Sequence, residues 1–139
     1  MINFGTEAVN LVKVGRREKG SAAEDLALEF LLKRGMVLLG RNWRVGHKEL
    51  DLLMKSTNEA TEEQRLHVIE VRSLSEPNLQ LPFETVDIKK QRAVISAASA
   101  YIYRNQIMCE TQFDIVSVLF EKDGNIRIDY LPEAFNPKW

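Results

Sequence analysis

Glu49, Asp51 and Glu70 are acidic residues set into two apolar runs, and Arg72 stands two residues beyond the last of them. The first run reads Glu49-Leu50-Asp51-Leu52-Leu53-Met54, the second Leu66-His67-Val68-Ile69-Glu70-Val71-Arg72. Carboxylates between apolar neighbours are costly to half-bury unless a cation compensates them, and a divalent metal ion is the obvious candidate. Alternation in both runs, with β-branched residues frequent in the second, predicts a strand for each. Side chains two apart on a strand share a face, so Glu49 points with Asp51, and Glu70 with Arg72. If the two strands pair, carboxylates and a guanidinium converge on one patch.

The elements that must position this patch follow from periodicity. Ala23, Leu26, Ala27, Phe30 and Leu31 recur at helical spacing and predict a helix over about residues 22 to 34. Ser21 is placed to cap its start and Gly35 to end it, with helical turns beginning earlier, through Ala8 to Arg17, as a further option. Met36 to Arg44 reads as a strand, and Val45-Gly46-His47-Lys48 as a hairpin turn into the strand of Glu49 and Asp51. Ser56 to Arg65 is polar apart from Ala60 and predicts an exposed, mobile loop. After the strand from Leu66 to Arg72, a loop with Pro77 and Pro82 leads to a helix over about residues 86 to 104. Its expected buried stripe is Ile88, Ile95, Ala98 and Ile102, with Lys89, Lys90 and Arg92 opening a polar side. Gln112 to Phe120 and Ile126 to Tyr130 read as the last strands, joined at Asp123-Gly124-Asn125, and the tail with Pro132 and Pro137 as an edge cover. The order is α-β-β-β-α-β-β, an α/β fold in one domain over residues 1–139, without repeats.

Composition narrows the function classes. At 139 residues the chain can bury one core, and 45% hydrophobic with 28% charged residues describes an ordinary globular protein. No apolar run approaches a membrane span, and Met1 to Gly5 lacks the features of a signal peptide. Cys109 is alone, so a reducing, cytoplasmic setting is expected. The net charge of −1 argues against a polycationic nucleic-acid coat. The charge is uneven: residues 1 to 55 hold ten Lys/Arg against seven Asp/Glu, and the rest nine against thirteen. Arg16, Arg17 and Lys19, and then Arg41, Arg44 and Lys48, could supply phosphate contacts at one edge, or simply a solvated surface.

Gly46-x-x-Glu49-Leu50-Asp51-Leu52 followed by Ile69-Glu70-Val71-Arg72 resembles the YraN-like proteins, members of the restriction-endonuclease-like PD-(D/E)XK superfamily. Gly20 through Glu24 with Ala27, Arg41-Asn42, Lys90-Gln91-Arg92 with Ala97, Ala98 and Tyr101, and Phe113-Asp114 are similar to further family positions, in order. The resemblance spans roughly Gly20 to Phe120. It implies a restriction-endonuclease-like core, a central mixed sheet flanked by helices, and ancestry among metal-dependent nucleases. Two positions depart: Arg72 stands where the family motif ends in Lys, and Gln112 where Arg is usual.

Phosphodiester hydrolysis needs activated water and a stabilised, charge-rich transition state, which carboxylate-held Mg²⁺ or Mn²⁺ can provide. The expected ligands are Asp51, Glu70 and the carbonyl of Val71, with Glu49 acting through water or as a supporting group and Glu24 arriving from the first helix. Each has an ordinary alternative. Glu24 also reads as half of a capping box with Ser21, Glu49 as a turn-flanking surface charge, and Asp51 and Glu70 as partners of Arg72 and Arg44. Arginine at 72 keeps the charge but is bulkier and cannot act as a base, so reduced or altered activity is expected, and Arg72→Lys should raise cleavage. His47, His67 and Cys109 lie on different elements, which argues against a zinc centre, and Asp114 is given no catalytic role. The leading expectation is a nuclease-like protein acting on DNA, including branched DNA in repair or recombination, with a homodimer as an option. The alternatives are a catalytically weak or silent member that binds nucleic acid or protein, and a structural protein without nucleic acid.

Overall fold

The computed structural model describes residues 6–10, 16–76 and 86–137, with the backbone alone for residues 6–10 and 16–19. Eight elements follow in the order β1 (Thr6–Asn10), α1 (Arg16–Lys33), β2 (Val37–Val45), β3 (Lys48–Thr57), β4 (Gln64–Ser75), α2 (Ile88–Arg104), β5 (Glu110–Phe120) and β6 (Asn125–Phe135). The six strands form one mixed sheet in the spatial order β1-β6-β5-β4-β3-β2. Among the described strands only β4 and β5 run parallel, in register from Arg65 with Glu110 to Ser75 with Phe120, and α2 lies in the crossover between them. These two strands are buried on both faces, which explains their nearly continuous apolar runs. Helices cover both faces. Ala23, Ala27, Phe30 and Leu31 of α1 pack on Leu52, Met54 and Ile69, while Val94, Ala97, Ala98 and Tyr101 of α2 pack on Leu53, Val68 and Phe113.

The expected α-β-β-β-α-β-β order is present, preceded by a strand. Thr6–Asn10 pairs antiparallel with β6, against the option of helical turns from Ala8. A five-residue edge strand has too little pattern to declare itself locally; its partner lies more than a hundred residues away. The first helix begins at Arg16 and runs through Gly20, so Ser21 is interior and does not cap it. Burial of its apolar face outweighs the cost of about 1 kcal/mol for an interior glycine. Gly35, at φ +89°, ends the helix in the left-handed conformation. Gly46, at φ +61°, turns β2 into β3 as expected.

The Ser56 to Arg65 segment is more ordered than its polarity suggests. Ser56 pairs with Arg65 and Thr57 with Gln64 in the β3–β4 ladder. The Asn58 carboxamide oxygen accepts from the Ala60 and Thr61 N–H groups at 2.9 and 3.1 Å, closing the exposed remainder. The loop containing Pro77 and Pro82 lies outside the described residues. On α2, Ala98 is buried as expected, but Ile88 is 58% exposed, and the rest of the buried stripe is Val94, Ala97 and Tyr101. Ile95 and Ile102 pack at its margin. Alanines let the helix settle close to Leu50 and Leu53, so the smaller residues face the sheet. The tail is no mere edge cover: β6 lies between β1 and β5 and continues through Pro132 to Phe135. Its register on β5 shifts between Phe113 and Ile115, and Pro132, which has no N–H to donate, sits in the stretch of β6 between their partners.

Candidate metal centre

The β3–β4 ladder sets the site. The ladder ends with Leu52 opposite Ile69, and Asp51 and Glu70 are the next residues of the two strands. There the Val71 N–H donates to Asp51 Oδ2 at 2.9 Å, fixing that carboxylate against the neighbouring strand. The contact Val71 makes is through its N–H, where its carbonyl was the group singled out in the sequence. Glu70 shares its face of β4 with Leu66 and Val68, so it points toward α2.

Glu70 is 1% exposed, and among the described residues neither carboxylate oxygen has a hydrogen-bond partner. Lys90 Nζ lies 3.7 Å from Oε2, close enough for charge attraction but too far for a good hydrogen bond. Burial, then the negative charge of Asp51, push the Glu70 carboxyl up to about 8, against the pull of Lys90 and Arg72. Asp51 is pushed up to about 6, first by burial, with the Val71 N–H opposing and Glu24 adding negative potential. Two buried acids that favour protons are acids short of positive charge.

The other acidic candidates are better compensated. Glu24 on α1 lies 3.5 Å from the Arg41 guanidinium, which also pairs with Asp25 at 2.7 Å. Glu49 pairs with Arg44 at 3.7 Å. Arginines of β2 therefore serve the outer carboxylates, and Arg44 is not the partner of Asp51 or Glu70. Both outer carboxylates still bear on Asp51, whose pKa each raises. Arg72 is half-buried and acts on Glu70 through its charge. Since α1 starts before Ser21, the capping-box account of Glu24 does not apply.

Among the described residues no three His, Cys, Asp or Glu side chains are grouped to hold a metal ion by themselves. Asp51 and Glu70 offer two carboxylates, and Mg²⁺ is commonly held by one or two carboxylates while water fills its remaining positions. The orphaned oxygens of Glu70 fit such an ion, with the Val71 carbonyl as a further oxygen donor.

Lys90 is the residue that sequence reasoning passed over as part of a polar helix face. A helix joining two adjacent parallel strands must run back along the sheet, so its start lies near the end of the first strand. That places the first turn of α2, capped by Asp87 through the Lys90 N–H at 2.8 Å, beside the Glu70 end of β4. Recognising β4 and β5 as parallel neighbours would have found Lys90.

A family model described as "Uncharacterised protein family UPF0102" matches residues 23–118. A UPF0102 protein of Bacteroides thetaiotaomicron is 39% identical over 120 residues, covering 86% of this chain and 93% of the relative. One from Dictyoglomus turgidum is 31% identical over 124 residues, covering 88% of this chain and all of the relative. Among solved structures, Pyrococcus furiosus SfsA in complex with Ca²⁺ aligns at a TM-score of 0.33 and 13% identity, over 88% of this chain and 66% of that one. So loose a likeness says nothing about activity.

Proposed function

This chain belongs to the uncharacterised protein family UPF0102, and from that premise and the buried acidic pair we propose that it is a Mg²⁺- or Mn²⁺-dependent nuclease acting on DNA. The carrying observation is Glu70: a buried carboxylate beside Asp51 whose two oxygens have no hydrogen-bond partner among the described residues, with the Lys90 ammonium 3.7 Å away. The family resemblance to PD-(D/E)XK nucleases supports the same reading.

Asp51, Glu70 and the Val71 carbonyl would hold the ion, which would supply Lewis acidity at phosphate and lower the pKa of water. Asp51, fixed by the Val71 N–H, holds its oxygens in a constant place on a rigid strand pair. Glu70 would hold the ion as a carboxylate, its two oxygens being the donors. The Lys90 ammonium and the Arg72 guanidinium border the same carboxylates and can oppose negative charge growing on a phosphate. Arg41 and Arg44, on the edge strand β2, lie on the approach to this end of the sheet. Their charge suits a phosphate backbone, and a single half-buried cysteine suits a reducing cytoplasm.

The test is paired. Calorimetry with Mn²⁺ on wild type, Asp51→Asn and Glu70→Gln should show binding that either variant abolishes. Cleavage of linear, nicked and branched DNA should require the same metal and the same residues. Absence of Mn²⁺ binding by the folded wild type overturns the reading. Metal binding with salt-sensitive DNA binding but no cleavage of any substrate would instead identify the silent member of the fold.

A further inference from the structure

A second constellation lies elsewhere on the sheet. His67 is three residues before Glu70 on β4 and therefore points to the opposite face, the α1 side. Its Nδ1 lies 2.8 Å from Asp114 Oδ2, and its Nε2 lies 2.6 Å from Ser56 Oγ. Asp114 is fully buried and surrounded by donors: Tyr130 O–H at 2.7 Å, Gln112 Nε2 at 2.9 Å and the Glu133 N–H at 2.9 Å. Burial and the charge of Asp114 push the Tyr130 hydroxyl up, keeping it a donor. A carboxylate so surrounded accepts from every side, so the proton of the neutral imidazole sits on Nδ1 and the lone pair on Nε2 faces Ser56. Ser56 and His67 open onto a cavity of about 640 Å³ that Arg65, Gln112 and Cys109 also line. Arg65 is the ladder partner of Ser56, and its guanidinium is held by Gln112 Oε1 at 2.9 Å and by the Glu110 and Glu133 carboxylates at 3.4 and 3.6 Å.

A buried carboxylate that orients a histidine, which in turn accepts from a half-exposed hydroxyl at a cavity wall, is the arrangement that activates a serine nucleophile. We propose that Ser56 and His67 form a second, metal-independent active site that hydrolyses small carboxylic esters, with Asp114 as the positioning residue. Ser56 Oγ bonds to the acyl carbon as its proton passes to His67 Nε2. That proton then passes to the departing oxygen as the ester C–O bond breaks and the alcohol leaves. Water next gives a proton to Nε2 and bonds to the acyl carbon; the proton returns to Ser56 Oγ as the carboxylic acid departs. Water is the only co-reactant.

The test uses the full chain and a fluorophosphonate, which loses fluoride as it bonds to an activated serine, with the adduct mapped by peptide mass spectrometry. Ser56 should be modified roughly 100-fold faster in the native protein than in denaturing urea, the smallest effect expected of a positioned base. Hydrolysis of p-nitrophenyl acetate should be lost in Ser56→Ala, a half-exposed position, with circular dichroism confirming the fold. Equal modification in native and denatured protein overturns the proposal, as does an adduct confined to other residues or undiminished ester turnover by folded Ser56→Ala. The wild-type labelling needs no variant, so it decides the matter even where Ser56→Ala fails to fold.

Discussion

Replacing Glu70 by Gln should stabilise the metal-free protein, although it removes a residue of the candidate centre. The carboxyl has an ordinary value of 4.5 and is raised to about 8 in the fold, chiefly by burial. The folded chain therefore holds this proton more tightly than the unfolded one. Stability from this group is complete below about 4.5 and falls as pH rises, until it is lost above about 8. At pH 7 the unfolded chain gains about 2.5 pH units' worth of ionisation that the fold refuses, or about 3 kcal/mol at about 1.4 kcal/mol per unit. Glutamine has nothing to ionise, so Glu70→Gln recovers that amount at pH 7 and less than about 1 kcal/mol at pH 5. Urea unfolding of both proteins in EDTA, at pH 5, 7 and 8.5, measures the difference directly. Adding Mn²⁺ should then stabilise wild type but not the variant, because only wild type can exchange the proton for the ion. A Glu70→Gln protein no more stable than wild type at pH 8.5 would show that the carboxylate already has its counter-charge and that no cation is missing from the site.

Lys90→Met should lower metal-dependent cleavage by about tenfold, or about 1.4 kcal/mol of transition-state stabilisation, with DNA affinity nearly unchanged. Sequence reasoning expects Arg72→Lys to raise cleavage; with Lys90 already supplying an ammonium, Arg72→Lys should change it little, and a tenfold rise there with a neutral Lys90→Met would reverse the two roles. Asp114→Asn should destabilise the fold by about 3–5 kcal/mol in urea unfolding, because an amide cannot accept from four donors at once. Shortening the hairpin within residues 59 to 62 should leave stability within about 0.5 kcal/mol, whereas removing Ser56 and Arg65 as well should lower the melting temperature clearly.

Local pattern carried the strands of the motif, the second helix and the end of the first, whose start at Arg16 lies six residues before the expected one. Leu50, Leu52, Val68 and Ile69 announce their strands through alternation and β-branching, and Gly35 and Gly46 mark turns whose positive φ they accommodate. What local pattern cannot carry is which of two helical stripes meets the sheet. Ile88, Ile95 and Ile102 form a legitimate stripe, yet Val94, Ala97, Ala98 and Tyr101 are the residues buried. Distance of approach decides between them, and that is a property of the facing leucines. Likewise Thr6–Asn10 is a strand only because β6 offers an edge to pair with.

The same division runs through the two clusters of chemistry. Asp51 and Glu70 were legible because both lie on neighbouring antiparallel strands, where spacing of two and a short connection fix who meets whom. Lys90 was not, because its place depends on β4 and β5 being parallel neighbours. The Ser56–His67–Asp114 chain depends on that pairing too: the parallel register sets His67 beside Gln112 and Ile69 beside Asp114. A lone histidine in an apolar run, a serine at a loop edge and an aspartate with no assigned role share no sequence signal, since their partners come from three strands. Long-range parallel pairing is the hardest contact to read from one chain, and it is the contact that brings the ammonium to Glu70 and the carboxylate to His67.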